Sequence, residues 1–154
     1  MTQYCTFYLQ DKHYGVPMLE VQEVIRGQSL TPVPLAQPMV EGLMNLRGSI
    51  VMCVDLRRRL GLADARENQA PLQIILNGQS GLVGWIVDRM SEVRELDPEL
   101  GESPPGTILA ENRELLDRVF ALESGLLMVL KPEWVFQGEP ERTERNRESS
   151  RGFV

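Results

Sequence analysis

The sequence contains only one histidine and two cysteines among its 154 residues, which leaves little material for metal binding or nucleophilic catalysis. Cys5 and Cys53 each lie in an apolar, strand-like run, without the short C-x-x-C spacing typical of zinc sites and redox-active pairs. We therefore expect two buried free thiols and neither a metal nor another cofactor. A cysteine-dependent enzyme, with His13 as the base for Cys5 or Cys53, is an alternative for which the sequence supplies no geometry.

Long hydrophobic runs are also absent. No apolar segment approaches the roughly 20 residues that a transmembrane helix requires, and residues 1–4 lack the basic and apolar blocks of a signal peptide. The expected location is the cytoplasm, with no direct membrane insertion.

Positive charge is scarce, because 16 Lys and Arg residues stand against 22 Asp and Glu residues and the net charge is −6. This charge opposes attraction to phosphate backbones, and only 6% of the residues are aromatic, so we expect no nucleic-acid partner. A small-barrel nucleic-acid-binding module is nevertheless the alternative function, since such barrels bind bases on aromatic and basic faces.

Common catalytic motifs are missing as well. The sequence contains no glycine-rich phosphate-binding loop, nucleophile elbow or H-E-x-x-H zinc motif, so catalysis is not expected. Glu23, Asp55 and Asp88 are scattered along the chain, and we interpret each as a cap or ion-pair partner rather than a metal ligand. The triplet 57–59 (RRR) is interpreted as a solvated face, because consecutive helical residues point in different directions.

The sequence does contain many short strand-like segments separated by turns. Alternating and β-branched residues predict strands at 4–9, 13–18, 49–54 and 91–96, and hairpins that join 72–76 to 82–87 and 118–122 to 126–130. Residues 19–26 are predicted as strand or short helix, and residues 55–61 as a short helix capped by Asp55. Eight or more short strands with little helix predict an all-β fold of closed or nearly closed barrels.

Two polar segments interrupt or follow this pattern. Residues 63–71 are predicted as a surface loop, and the domain is expected to span residues 1–137. Residues 138–154 are rich in Glu and Arg and have no apolar residue before Phe153, so they predict a flexible, charged C-terminal tail.

Several segments carry motifs at specific spacings. Residues 21–25 read V-x-E-V-I, residues 42–51 read G-x-x-N-L-R-G-x-I-V, and residues 54–57 read V-D-L-R. With these motifs and the segment 82–93, the chain resembles the CheW-like coupling proteins of bacterial chemotaxis-type signalling, over residues 5–136. It departs from the family pattern at Lys131, where an acidic residue is usual, and in the tail.

The resemblance implies two five-stranded, SH3-like barrels packed side by side, with short helices. It also implies a non-catalytic adaptor that couples chemoreceptors to a CheA-type histidine kinase. The implied partners are the regulatory domain of that kinase, the cytoplasmic tip of the receptor and, as a further possibility, other CheW-like domains. Through these partners the protein would join receptor arrays at the inner membrane face. The output, flagellar, surface motility or another, stays open.

The resemblance further implies that Glu23 and Arg47 lie on the surface of the first barrel. We expect them to form a salt bridge that orients a partner interface, because an exposed pair stabilises a fold by less than about 1 kcal/mol. Asn45 and Gly48 flank Arg47 in the same motif, and the glycine permits a turn or a close backbone approach.

Apolar residues that are candidates for partner binding lie near Glu23 in the sequence and again in the second half of the chain. If Val24 points inward, Val21, Glu23 and Ile25 share the outer face of their strand and present an apolar pair to a partner; we prefer this register to the reverse. For the receptor, the resemblance implies a groove near Val83, Trp85 and Val87 or their neighbours. Trp85 either lines that groove or fills the second barrel's core.

Overall fold

The computed structural model describes residues 1–27, 29–62, 72–79, 81–106 and 113–133. Within these residues the chain is mostly β-strand. The strands are β1 (Thr2–Leu9), β2 (Lys12–Pro17), β3 (Val21–Arg26), β4 (Val40–Leu46), β5 (Ser49–Asp55), β6 (Leu72–Gly78), β7 (Gly81–Val87), β8 (Arg89–Met90), β9 (Arg94–Leu96), β10 (Leu116–Leu122) and β11 (Gly125–Leu130). The helix α1 spans Leu56–Arg59, and single 3-10 turns occupy Met18–Glu20 and Pro98–Leu100.

The strands form two sheets. The six-stranded sheet has the order β10-β11-β2-β1-β8, with β9 also paired to β1, and the five-stranded sheet has the order β3-β6-β7-β5-β4. The pairs are antiparallel except for β11 with β2 and β5 with β7. The all-β prediction is confirmed. The predicted central strand at 49–54 is present as β5, and the two predicted hairpins are present as β6–β7 and β10–β11. The six-stranded sheet exceeds the expected five because two very short strands, β8 and β9, both pair with β1.

Apolar side chains collect in three clusters, and the largest lies between the sheets. It combines residues of the six-stranded sheet, such as Phe7 and Val16, with residues of the five-stranded sheet, such as Ile74 and Trp85. The rings of Phe7 and Trp85 meet edge to face with centroids 6.3 Å apart. Each sheet also has a smaller cluster of its own. Both faces of most strands are therefore covered, which explains why β1 is buried on both sides and not on the single face that alternation predicted.

The junction between the sheets contains a buried ion pair. Asp55 caps α1, because its side chain accepts a hydrogen bond from the backbone N–H of Arg57 at 3.0 Å. The guanidinium of Arg57 then contacts both carboxylate oxygens of Asp88, the residue that follows β7. The Nε atom of Arg57 lies 2.8 Å from Asp88 Oδ1. Asp88 N in turn donates to Tyr8 O of the six-stranded sheet at 3.1 Å. The pair thus ties α1 and the five-stranded sheet to β1.

This geometry corrects one interpretation of the sequence. Arg57 is buried, so the solvated-face prediction for residues 57–59 is wrong at this position. Arg58 is half-exposed and pairs with Glu41 at 3.0 Å and with Asp55 at 3.5 Å. The interpretation of Asp55 and Asp88 as cap and ion-pair partner is confirmed.

Other predicted segments differ in extent. Residues 19–26 divide into a 3-10 turn and β3, and within 91–96 only Arg94–Leu96 is strand. The predicted loop at 63–71 and the predicted tail at 138–154 lie outside the described residues. None of the helices among the described residues is both long enough and apolar enough to cross a membrane.

The Arg57–Asp88 pair gives a stability prediction. Asp88→Ala removes the two-point partner of a guanidinium whose side chain is only 10% exposed, and we expect the free energy of unfolding to fall by about 3 kcal/mol. Asp117→Ala is the matched control, since Asp117 is 44% exposed and its pair with Arg118 is worth less than about 1 kcal/mol. Urea unfolding of both variants measures the difference. Equal losses of unfolding free energy in the two variants would show that the Arg57–Asp88 pair does not stabilise the junction between the sheets.

Candidate partner-binding surface

The tip of the β4–β5 hairpin is built from the N-L-R-G motif. Leu46 pairs with Ser49, so Arg47 and Gly48 alone form the connection. Both have positive φ, 49° at Arg47 and 88° at Gly48, as a two-residue type I′ hairpin turn requires. The Asn45 Oδ1 atom accepts a hydrogen bond from Gly48 N at 2.8 Å. Three of the predicted site residues, Asn45, Arg47 and Gly48, therefore act together as one defined turn.

This turn holds Arg47 outward. The side chain of Arg47 is 66% exposed, and its Nη2 atom forms a salt bridge with Oε1 of Glu23, whose side chain is 27% exposed. The predicted Glu23–Arg47 pair is confirmed. Glu23 belongs to β3 and Arg47 follows β4, so the pair connects the two outermost strands of the five-stranded sheet. Positive φ is unfavourable for a residue with a long side chain, whereas an exposed ion pair gives little stability in return.

The motif's first glycine shapes the same region. The connector after β3 runs back along β4, where Thr31 and Leu43 exchange two backbone hydrogen bonds of 2.8 Å. A Cβ atom on Gly42 would lie 2.6 Å from the Thr31 carbonyl oxygen. Only glycine permits this close backbone approach.

The arrangement of β3 differs from the preferred register. A bulge between Val21 and Glu23 places Val21 opposite Leu76 but Glu23 opposite Ile75, so these two residues point to different faces of the sheet. Val21 packs on the large cluster between the sheets, and Ile25 packs on the five-stranded sheet's own cluster. Val24 is the exposed residue, at 41%. The prediction of an inward Val24 with Val21, Glu23 and Ile25 sharing the outer face is therefore wrong.

The predicted groove residues of β7 are not on the surface. Val83, Trp85 and Val87 are 6%, 0% and 2% exposed, and all three belong to the cluster between the sheets. Of the two interpretations of Trp85, the core position is correct. These side chains cannot line a groove, because the neighbouring sheet covers them.

One exposed apolar residue at the hairpin was not singled out from the sequence. Ile50 lies opposite Asn45 and is 72% exposed. The sequence carries no alternation signal for it, because residues 50–54 are apolar at both odd and even positions. We call the set Glu23, Asn45, Arg47, Gly48 and Ile50 the Arg47 surface.

The cysteines do not form a catalytic site with His13. Both thiols are free and buried, as expected, and burial raises the pKa of Cys5 to about 11 and that of Cys53 to about 12. Cys5 is opposite Val16 and His13 is opposite Tyr8, so Cys5 and His13 point to opposite faces of the sheet. Cys53 belongs to the other sheet. Among the described residues, no group of three or more His, Cys, Asp or Glu side chains is placed to hold a metal ion.

Comparisons with known proteins agree with this architecture. The family model of the CheW-like domain matches residues 3–139. The chain is 31% identical to a chemotaxis protein CheW of Treponema pallidum over 132 residues, which cover 83% of this chain and 78% of that protein. It is 28% identical to a chemotaxis protein CheW of Bacillus subtilis over 133 residues, covering 86% of this chain and 85% of that protein.

A solved structure matches as well. The crystal structure of the scaffolding protein TtCheW from Thermoanaerobacter tengcongensis has a TM-score of 0.79 and 27% sequence identity, and the match covers 88% of this chain and 92% of that chain. The shared fold therefore extends over most of the chain.

The turn and the ion pair are expected to contribute differently to stability. Gly48→Ala places a Cβ at a φ of 88° and should lower the free energy of unfolding by about 1 kcal/mol. Glu23→Gln removes an exposed ion pair and should lower it by less than about 0.5 kcal/mol. Urea unfolding of the two variants distinguishes them. A larger loss for Glu23→Gln would mean that the ion pair is chiefly structural.

Proposed function

The chain belongs to the CheW-like domain family, and we propose that it couples a CheA-type histidine kinase to the cytoplasmic tip of a chemoreceptor. Proteins of this family are scaffolding or adaptor proteins rather than enzymes, and this chain is a chemotaxis adaptor. The proposal adds the two partners, which the relatives' names do not specify. It also implies a cytoplasmic protein that reaches the membrane-attached receptor array only through its partners.

The observation that carries the proposal is the exposed Arg47 on a defined turn. Arg47 adopts a positive φ of 49° and is 66% exposed, while its ion pair with Glu23 stabilises the fold only slightly. A residue that adopts an unfavourable backbone conformation, although its contacts stabilise the fold only slightly, is typical of a recognition site. The planar guanidinium offers N–H groups for a partner, and Ile50 adds exposed apolar area beside it.

We assign the Arg47 surface to the regulatory domain of the kinase. This surface is small, polar at Glu23 and Arg47 and apolar at Ile50, which matches the mixed composition of protein interfaces. The salt bridge limits the rotamers of Arg47 before binding, so less conformational entropy is lost in the complex. No residues are assigned to the receptor contact, because the β7 residues considered for it are buried.

Other CheW-like domains are further proposed partners. Among the described strands, β3 is at the end of its sheet, and an edge strand leaves backbone donors and acceptors for another strand. Val24 is 41% exposed on that strand and would add apolar contact.

A calorimetric titration of the purified protein with the regulatory domain of a CheA-type kinase from the same genome tests the kinase assignment. Arg47→Glu places a second carboxylate beside Glu23 and should weaken binding at least about tenfold, because it removes a central charged contact. Arg113→Glu is the control, since Arg113 is exposed and lies outside the Arg47 surface. Circular dichroism verifies that both variants are folded.

Three outcomes are informative. Saturable binding that is lost in a folded Arg47→Glu variant and kept in Arg113→Glu supports the proposal. Equal binding by both variants would assign the kinase contact to another surface. No binding by the unaltered protein to the kinase domain would overturn the kinase assignment, and a parallel titration with the receptor's helical tip would then test the receptor contact separately.

A further inference from the structure

A second group of polar and aromatic residues lies on the six-stranded sheet, which does not contain the Arg47 surface. Strand β1 lies between β2 and β8, and Tyr8 of β1 is directly opposite both His13 of β2 and Arg89 of β8. Residues that are directly opposite in antiparallel strands point to the same face. Tyr8, His13 and Arg89 therefore form a row across three strands.

The three side chains in this row are stacked. The rings of Tyr8 and His13 are nearly parallel, at 8°, with centroids 4.5 Å apart. The guanidinium carbon of Arg89 lies 4.2 Å from the centre of the Tyr8 ring. Since both groups lie over the same ring at these distances, they cover its two opposite faces. The cation–π contact restricts Arg89, yet leaves its N–H groups at the edge of the stack for another ligand.

Arg94 adds a second guanidinium to the group. It is opposite Tyr4 on β1, and Tyr4 and Tyr8 share a face because they are an even number of residues apart. The charges of Arg94 and Arg89 both act on His13. Neither arginine forms a salt bridge with any described residue. Two guanidinium groups without carboxylate partners are unexpected in a chain whose net charge is −6.

We propose that Arg89, Arg94 and the Tyr8–His13 stack form a binding patch for an acidic peptide segment of a partner protein. Guanidinium groups bind carboxylates through paired hydrogen bonds, and two of them in one patch would engage successive Glu or Asp side chains. The inference does not depend on the proposed function. A nucleic acid is disfavoured, because both faces of Tyr8 are already covered and the net charge of −6 repels phosphates.

The histidine couples this patch to pH. Burial, and then the charges of Arg94 and Arg89, lower the pKa of His13 from its ordinary value of 6.5. The other neighbours are Tyr8, the apolar Leu127 opposite His13 on β11, and two exposed residues, Asp11 in the β1–β2 turn and Lys12 at the start of β2. Within the described part of the chain, His13 Nε2 is a buried nitrogen without a hydrogen-bond partner. Carboxylates at the patch favour the protonated imidazole, so peptide binding takes up a proton and strengthens as the pH falls.

The experiment uses the full chain and a hexaglutamate peptide, with hexaglutamine as the uncharged control peptide. His13 is the only histidine, so its imidazole proton signals in the NMR spectrum are identified without further labelling. We expect hexaglutamate to shift these signals saturably and to raise the pKa of His13. Affinity should increase about threefold or more between about pH 7.5 and about pH 5.5, a range in which glutamate carboxylates stay ionised.

Arg89→Gln and Arg94→Gln are each expected to weaken hexaglutamate binding by about two- to fivefold, the range of an exposed charge pair. Arg26→Gln is the matched control, because Arg26 is exposed on the five-stranded sheet and its loss should leave the affinity unchanged. Using two patch variants keeps the test valid if one of them does not fold.

Several results would overturn the proposal. Equal binding of hexaglutamine would show that carboxylates are not recognised. An equal loss in Arg26→Gln would indicate unspecific charge attraction, and peptide binding without any change in the imidazole signals would locate the contact elsewhere.

Discussion

Each sheet has an apolar face that only the other sheet covers, and the rest of the structure depends on this contact. Phe7 of β1 and Trp85 of β7 meet in the cluster between the sheets, with both side chains fully buried. Burial of large aromatic side chains contributes much of the free energy of folding, so neither sheet would retain its stability alone. The buried Arg57–Asp88 pair lies at the same junction and connects the sheets through directional contacts. The two sheets therefore share one hydrophobic core.

The residues that stabilise the fold and the residues proposed for recognition are different. The residues that hold the sheets together are buried, whereas Arg47 and Ile50 at the β4–β5 hairpin and Glu23 on β3 contribute little to the core. The turn that presents Arg47 is held by local contacts, namely the Leu46–Ser49 pairing and the Asn45 side chain. A rigid scaffold with a locally defined recognition turn suits an adaptor, because partner contacts can change without loss of the fold.

Local features of the molecule could be predicted from the sequence, whereas features that depend on distant partners could not. The hairpins and the cap at Asp55 follow from turn residues and short-range patterns, and the Glu23–Arg47 pair followed from the family motif. The register of β3 was missed because one extra residue before Glu23 breaks the alternation, and this bulge is defined only by pairing with β6. The burial of Arg57 depends on Asp88, which is 31 residues away. Trp85 could not be placed for the same reason, since its partner Phe7 belongs to the other sheet.

Hydrogen–deuterium exchange of the full chain, with and without the kinase regulatory domain, tests whether the Arg47 surface is the contact with this partner. We expect slower exchange on binding only in β3 and in the β4–β5 hairpin around Arg47, while β1 and β7, which carry Phe7 and Trp85, exchange equally slowly in both states. Protection that appears elsewhere and leaves the β4–β5 hairpin unchanged would contradict the assignment of the Arg47 surface to this partner.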